Sequence, residues 1–149
     1  MTDTLLVCVS RSHGNTRCVA EAMASVLGAE VVDPGEVDAG RLAEVDLIGF
    51  GSGIYNQRFD SRLRDFIDAV PPGNAGACAF VFYTSGFRPI TGPLTRRIER
   101  HGRSVVGTFG CRGWDTSPPF GLAGGLRRGR PDDRDLERAR QFAADLSPV

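Results

Sequence analysis

The sequence predicts an α/β fold, a three-layer, doubly wound five-stranded parallel sheet with helices on both faces. Three observations carry this. Short apolar runs recur along the chain and are nearly continuous rather than alternating, as in strands buried on both faces. Segments with a helical period of 3.6 residues separate them. The two types alternate through a chain of 149 residues, 41% hydrophobic and 24% charged, which is the pattern of βα units wound right-handedly around one sheet. The length suits a single domain over residues 1–149, large enough to bury roughly two-thirds of its unfolded surface.

The elements follow in order. Thr4 to Val9 (TLLVCV) is the first buried strand, and the polar, Gly-containing stretch Ser10 to Thr16 is a loop. From Asn15 a helix is expected, with Val19, Ala20, Met23, Val26 and Leu27 inward and Gly28 as its stop. Glu30 to Val32 begins a short second strand. Val45 to Gly51 (VDLIGFG) is the third, followed by a loop from Ser52 to Arg58. Asp60 to Val70 reads as a helix with Leu63, Phe66, Ile67 and Val70 inward, stopped by Pro71-Pro72-Gly73. Ala77 to Tyr83 (ACAFVFY) is the fourth strand. After the loop Thr84 to Thr91, a helix covers about Gly92 to His101, and Ser104 to Phe109 is the fifth strand. A Gly-rich connection from Gly110 to Gly129 leads to a last helix, with Pro131 in its first turn and Asp132 and Asp133 near its positive end.

Composition removes several chemistries. All 18 basic residues are Arg, balanced by 18 acidic ones. Without Lys there is no Schiff-base or pyridoxal-phosphate enzyme and no GK[ST] phosphate loop, and Arg does not substitute because it does not give up its proton. The N-terminus has no basic stretch and no apolar run approaches about 18 residues, so neither a signal peptide nor a membrane span is expected. The four cysteines, Cys8, Cys18, Cys78 and Cys111, form no CxxC or CxxH pair. Reduced thiols, no metal site and a cytoplasmic location are the expectation. Phosphatase chemistry of the C-x5-R type is absent, since the sixth residues after these cysteines are Gly14, Ala24, Thr84 and Ser117.

In a doubly wound sheet, ligands bind beyond the carboxyl ends of the strands, where strand order reverses. The loop after the first strand, Ser10-Arg11-Ser12-His13-Gly14-Asn15-Thr16, presents hydroxyls and backbone N–H groups at a helix N-terminus. Such a concavity suits a phosphate monoester. The competing reading is plain N-capping by Ser12, Asn15 or Thr16, and local sequence alone weighs the two evenly.

With this loop, the third-strand run ending in GSGIYNQRF (Gly51 to Phe59), the YTSGF after the fourth strand (Tyr83 to Phe87) and the closing segment Gly129 to Ala143, the chain resembles the flavodoxin family along its whole length. The resemblance implies strand order 2-1-3-4-5 and an FMN cofactor. It places the phosphate on Ser10, Arg11, Ser12, His13, Gly14, Asn15 and Thr16. The family loop is usually [TS]-x-[TS]-G-x-T; here His13 lengthens it by one residue, and Arg11 and His13 add positive charge for a phosphate dianion.

The resemblance also implies how the ring is held. Ser52, Gly53, Ile54, Tyr55 and Asn56 would form one wall, with Tyr55 stacking on the ring and the backbone around Ile54 to Asn56 meeting the N5 edge. In relatives a peptide flip here hydrogen-bonds the reduced N5–H, and Asn tolerates the unusual backbone this needs. Thr84, Ser85, Gly86 and Phe87 would cover the other face and the pyrimidine end. For Cys111 and Trp114, a place on the pocket rim competes with a purely structural one. Cys111 is read as a potentially exposed thiol whose pKa Arg112 would lower; Cys8, Cys18 and Cys78 fall within core patterns.

The resemblance implies a monomeric low-potential electron carrier that meets a reductase and an electron acceptor, without nucleic acid or membrane. A stand-alone FMN-dependent NAD(P)H:quinone-type oxidoreductase and a non-redox module on the same fold stay open beside it. Charge marks a departure from acidic flavodoxins. Residues 1–75 hold 6 Arg against 11 acidic residues (−5), and residues 76–149 hold 12 Arg against 7 (+5). A dipolar surface and salt-sensitive association are expected.

Overall fold

The computed structural model describes residues 3–10, 14–55, 57–74, 76–85, 89–111 and 131–146. The strands among them are β1 (Thr4–Val9), β2 (Glu30–Val32), β3 (Leu47–Tyr55), β4 (Arg58–Phe59), β5 (Cys78–Thr84) and β6 (Ser104–Cys111). The sheet runs β2-β1-β3-β5-β6 with every neighbouring pair parallel. β4 stands off this path, paired antiparallel with β3. The expected five-stranded parallel sheet and its order are therefore present, and β4 is an addition. The helices are α1 (Asn15–Leu27), α2 (Ala39–Leu42), α3 (Ser61–Ala69), α4 (Gly92–Arg100) and α5 (Asp133–Leu146), with a 3-10 turn at Pro34–Glu36.

The continuous apolar runs are explained by two covered faces. On one, Leu5, Val7 and Val9 of β1 and Ile48 and Phe50 of β3 join Leu63 and Ile67 of α3 and Leu94 and Ile98 of α4. On the other, Leu6 and Cys8 join Val19, Ala20 and Met23 of α1 and Ala139 and Ala143 of α5. The second face also carries Phe80 and Phe82 of β5, both fully buried. They lie opposite Gly49 and Gly51 in the β3–β5 register. A Cβ at either glycine would overlap the facing ring, so β3 gives up two side chains to seat two phenyl groups.

Helix starts follow local polar chemistry. Asp60 caps α3, its carboxylate accepting from the Arg62 amide at 2.9 Å. At α5 the backbone N–H of Asp132 donates to Asp135 Oδ2 at 2.9 Å, and the Asp135 N–H donates to Asp132 Oδ1 at 3.0 Å, a reciprocal box that satisfies two orphan amides.

Several boundaries move. The stretch from Ser52, expected as a loop, continues β3 to Tyr55 because β5 pairs with it through Gly53 and β4 folds back on Ile54 and Tyr55. β6 runs two residues further than Phe109, to Cys111, opposite Thr84. The last helix begins at Asp133, and the carboxylate of Asp132 rather than Pro131 organises its start. Val26 is 39% exposed, because it lies at the edge of the α1 apolar stripe. Cys18 is exposed rather than in the core, and Cys111 is buried rather than exposed. The turn at Pro34–Glu36 and the four-residue α2 are too short to leave a periodic signal.

Candidate functional site

The sheet register brings the candidate loops together. Val9 pairs with Ser52, Gly53 with Thr84, and Thr84 with Cys111. The chain thus leaves β1, β3, β5 and β6 from adjacent positions at one level, the carboxyl end of a doubly wound sheet.

At the first loop, Gly14 is in the left-handed region with φ 65 and stands immediately before α1. Gly14 holds the N-cap position without a side-chain cap bond, so the first-turn amides need partners from elsewhere. Ser10 supplies one: its hydroxyl accepts from the Arg17 amide at 3.3 Å. Asn15 opens α1. Thr16 is 2% exposed, and its Oγ1 lies 2.7 Å from Oγ1 of Thr84, also buried, 68 residues along the chain. One hydroxyl of this pair donates to the other, leaving one O–H proton for another acceptor. The contact ties the first turn of α1 to the end of β5. Capping by Thr16 is set aside because Thr16 is the second residue of α1 and the N-cap position is Gly14. Arg11, Ser12 and His13 lie outside the described residues.

At the second loop, Ser52 is fully buried and its hydroxyl is engaged twice. It donates to the Gly53 carbonyl at 2.7 Å and accepts from the Asp60 amide at 3.0 Å. Ser52 therefore anchors the α3 start to β3. Ile54 is half-buried and packs on the α3/α4-side core. Tyr55 ends β3; its side chain, and Asn56 entirely, lie outside what is described. The residue after them, Gln57, has φ 65 and is the one described non-Gly residue with positive φ. Sequence reasoning placed the unusual backbone at Asn56 and did not single out Gln57, since Gln carries no such signal.

At the third and fourth loops, the Ser85 amide donates to the Cys111 carbonyl at 3.0 Å, which locks the exits of β5 and β6 side by side. Cys111 is 6% exposed and belongs to the core on the α1/α5 side. Gly86, Phe87 and Trp114 lie outside the described residues. Cys8, near the end of β1, is 2% exposed; burial pushes its thiol up to about 12, with Arg17 acting weakly the other way. It stays protonated and inert at neutral pH. Among the described residues no group of three or more His, Cys, Asp or Glu is placed to hold a metal ion, and no helix is long and apolar enough to cross a membrane.

The arrangement fits a flat ligand with an anionic tail. A glycine-led helix start with a hydroxyl beside it suits an anion. Parallel strand ends at one level are where a doubly wound sheet takes a ring-bearing ligand.

Comparison with known proteins agrees with this geometry. The chain is 32% identical over 146 residues to an uncharacterized protein of Methanocaldococcus jannaschii, covering 95% of this chain and 96% of that one. Among solved structures, a flavodoxin from the domain Archaea superposes with a TM-score of 0.71 at 19% identity, covering 97% and 96% of the two chains. Oxidised flavodoxin 1 from Bacillus cereus superposes with a TM-score of 0.70 at 20% identity, covering 96% of each. The family model described as Flavodoxin domain matches residues 6–87, which run from within β1 to just beyond β5 and take in three of the four candidate loops, and the chain belongs to this flavodoxin family.

Proposed function

We propose that this protein binds FMN non-covalently at the carboxyl ends of β1, β3, β5 and β6 and carries low-potential electrons between a reductase and an acceptor protein. The observation that carries the reading is the Thr16–Thr84 hydroxyl contact at 2.7 Å. It joins the loop suited to a phosphate with the loop suited to a ring, as one ligand spanning both requires. Ser10, Arg11, Ser12, His13, Gly14, Asn15 and Thr16 would hold the phosphate. Ser52 to Asn56, and Thr84 to Phe87, would flank the ring, with Cys111 behind them and Trp114 on the rim.

When bound, FMN supplies the one- and two-electron chemistry. The chain's own residues bind and orient it and exclude water from its edge. Gln57, held at positive φ beside the expected N5 edge, marks the backbone best placed to meet it. The carrier reading extends to a monomer working in the cytoplasm with partner proteins, its association weakened by salt.

The test is an absorbance spectrum of the purified protein followed by FMN titration of the apoprotein. A flavin spectrum and stoichiometric, tight binding are expected. A colourless protein that takes up no added FMN overturns the reading, and sustained NAD(P)H oxidation by the protein alone would replace the carrier with an oxidoreductase.

A further inference from the structure

A second concave site lies beside the proposed ring site, between β4 and the α3 and α4 helices. Its cavity of about 910 Å³ is lined by Gln57, Arg58, Phe59, Arg64, Ile90, Pro93, Leu94, Arg96, Arg97, Glu99 and Arg100. Five arginines face one carboxylate. Arg97 is paired with Asp68 outside the lining, at 3.4 Å. Arg58, Arg64, Arg96 and Arg100 make no ion pair with any described residue. Arg64 also keeps a buried Nε with no hydrogen-bond acceptor, which is costly for a charged group.

The walls have a second character. Phe59 and Leu94 are buried floor residues, and Ile90 stands 63% exposed beside them. An apolar floor ringed by unpaired guanidinium groups selects a particular chemistry. The volume is too large for a lone phosphate and falls in the range of organic ligands. The guanidinium forks match phosphate or carboxylate oxygens in pairs, which point-like ammonium groups do not.

The geometry points to a binding site for a nucleotide-sized organic polyanion, an apolar or aromatic ring bearing two or more phosphate groups, seated between α3 and α4. The ring lies on Phe59, Ile90 and Leu94, and the phosphates take Arg64, Arg96 and Arg100. Because Gln57 lines the cavity and stands one residue beyond Asn56, the ligand would sit next to the loop expected at the ring edge. Gln57 is the one lining residue shared with the proposed FMN edge; the arginines and apolar side chains that would hold the ligand are not among those assigned to FMN.

The test is isothermal titration of the full chain, as purified and with FMN added, using ADP and ATP as probes. Adenosine serves as a ring-only control and inorganic pyrophosphate as an anion-only control. ADP or ATP should bind one per chain, at least about tenfold more tightly than either control, with affinity falling as salt rises. Arg64→Gln combined with Arg96→Gln should weaken ATP at least about tenfold. Arg41→Gln, whose pairing with Glu30 lies elsewhere, should leave it unchanged. Unaltered circular dichroism of the double variant separates lost binding from lost fold. No heat from ATP up to about 5 mM, an unaffected double variant, or displacement of FMN by ATP would each overturn the inference. So would tight binding of a 20-mer oligonucleotide with none of ATP. Failure of FMN to bind leaves the nucleotide titration fully readable, so the two readings fail separately.

Discussion

The Thr16–Thr84 contact makes a quantitative prediction about folding and binding together. The two hydroxyls are 2.7 Å apart and buried, at 2% and 5% exposure. Thr→Val keeps the shape and removes the hydroxyl. Either single change leaves the other hydroxyl buried without its partner, costing about 1–3 kcal/mol, whereas removing both replaces the pair with apolar groups and costs little. Thr16→Val and Thr84→Val are each expected to lower stability by that amount. This corresponds to a fall in melting temperature of about 2–4 °C for each kcal/mol in a chain of this size. The double variant should recover most of the loss, a non-additivity of at least about 1 kcal/mol. Urea unfolding of the FMN-free protein, followed by circular dichroism, reads the stabilities. Titration of the same variants with FMN reads the site. Because the pair holds the one spare O–H proton at the junction of the two loops, the double variant should bind FMN about tenfold more weakly than wild type despite its restored stability. Costs that add within about 0.5 kcal/mol, or a double variant with undiminished FMN affinity, would refute the reasoning.

Three further outcomes follow from other parts of the molecule. Cys8 is held at about 12 in the folded state against an ordinary 9.0, so above pH 9 the unfolded chain sheds a proton that the folded chain keeps, and stability falls as pH rises. The loss attributable to Cys8 between pH 8 and pH 10 is about 1.4 kcal/mol, and Cys8→Ala should flatten that part of the stability profile; equal slopes for variant and wild type would contradict the burial argument. Gly51→Ala drives a methyl into the ring of Phe82 and should destabilise by about 1–3 kcal/mol, measured by thermal unfolding. Gln57→Gly relieves a left-handed backbone worth about 1–2 kcal/mol and should leave the protein equally or more stable, while altering FMN affinity or potential; a clear destabilisation would mean the Gln57 side chain holds the turn.

Much of this fold was legible because both sheet faces are covered. Continuous runs such as TLLVCV and ACAFVFY have no other economical explanation, and the helices between them carry wide apolar stripes. The misses occur where a tertiary partner decides. Ser52 to Tyr55 look like loop in sequence, with Ser, Gly and a following Asn. Pairing with β5 on one side and β4 on the other makes them strand. Cys111 is buried for the same reason, the two extra residues of β6 carrying it in under α1 and α5, whereas the phase of α1 by itself turns Cys18 outward. In the site, the Gly14 helix start was legible from composition. The bond from Thr16 to Thr84 was not, because nothing in either local sequence points across 68 residues.

The arginines sharpen the charge split read from the sequence. Arg17, Arg41, Arg62 and Arg140 pair with Glu21, Glu30, Asp33 and Glu137 at 3.1, 3.7, 2.7 and 3.1 Å, and Arg138 pairs with the buried Asp135. Most of these pairs are exposed and each contributes little to stability. Arg103 has a different task. It is 3% exposed at the start of β6 and donates to the carbonyls of Leu42 and Cys78, bridging two segments with a fork that Lys does not possess. Burial pulls its guanidinium below the ordinary value, while Cys78 and Asp46 act the other way. Arg97 pairs with Asp68 at 3.4 Å; among the described arginines that neither pair nor bridge, Arg134 stands apart on α5, whereas Arg58, Arg64, Arg96 and Arg100 converge on one cavity. A global excess of +5 in the second half of the chain would by itself predict only long-range steering. Unpaired guanidinium groups gathered over an apolar floor predict a ligand. The local arrangement, rather than the net charge, therefore sets this chain's chemistry apart from a neutral-walled carrier.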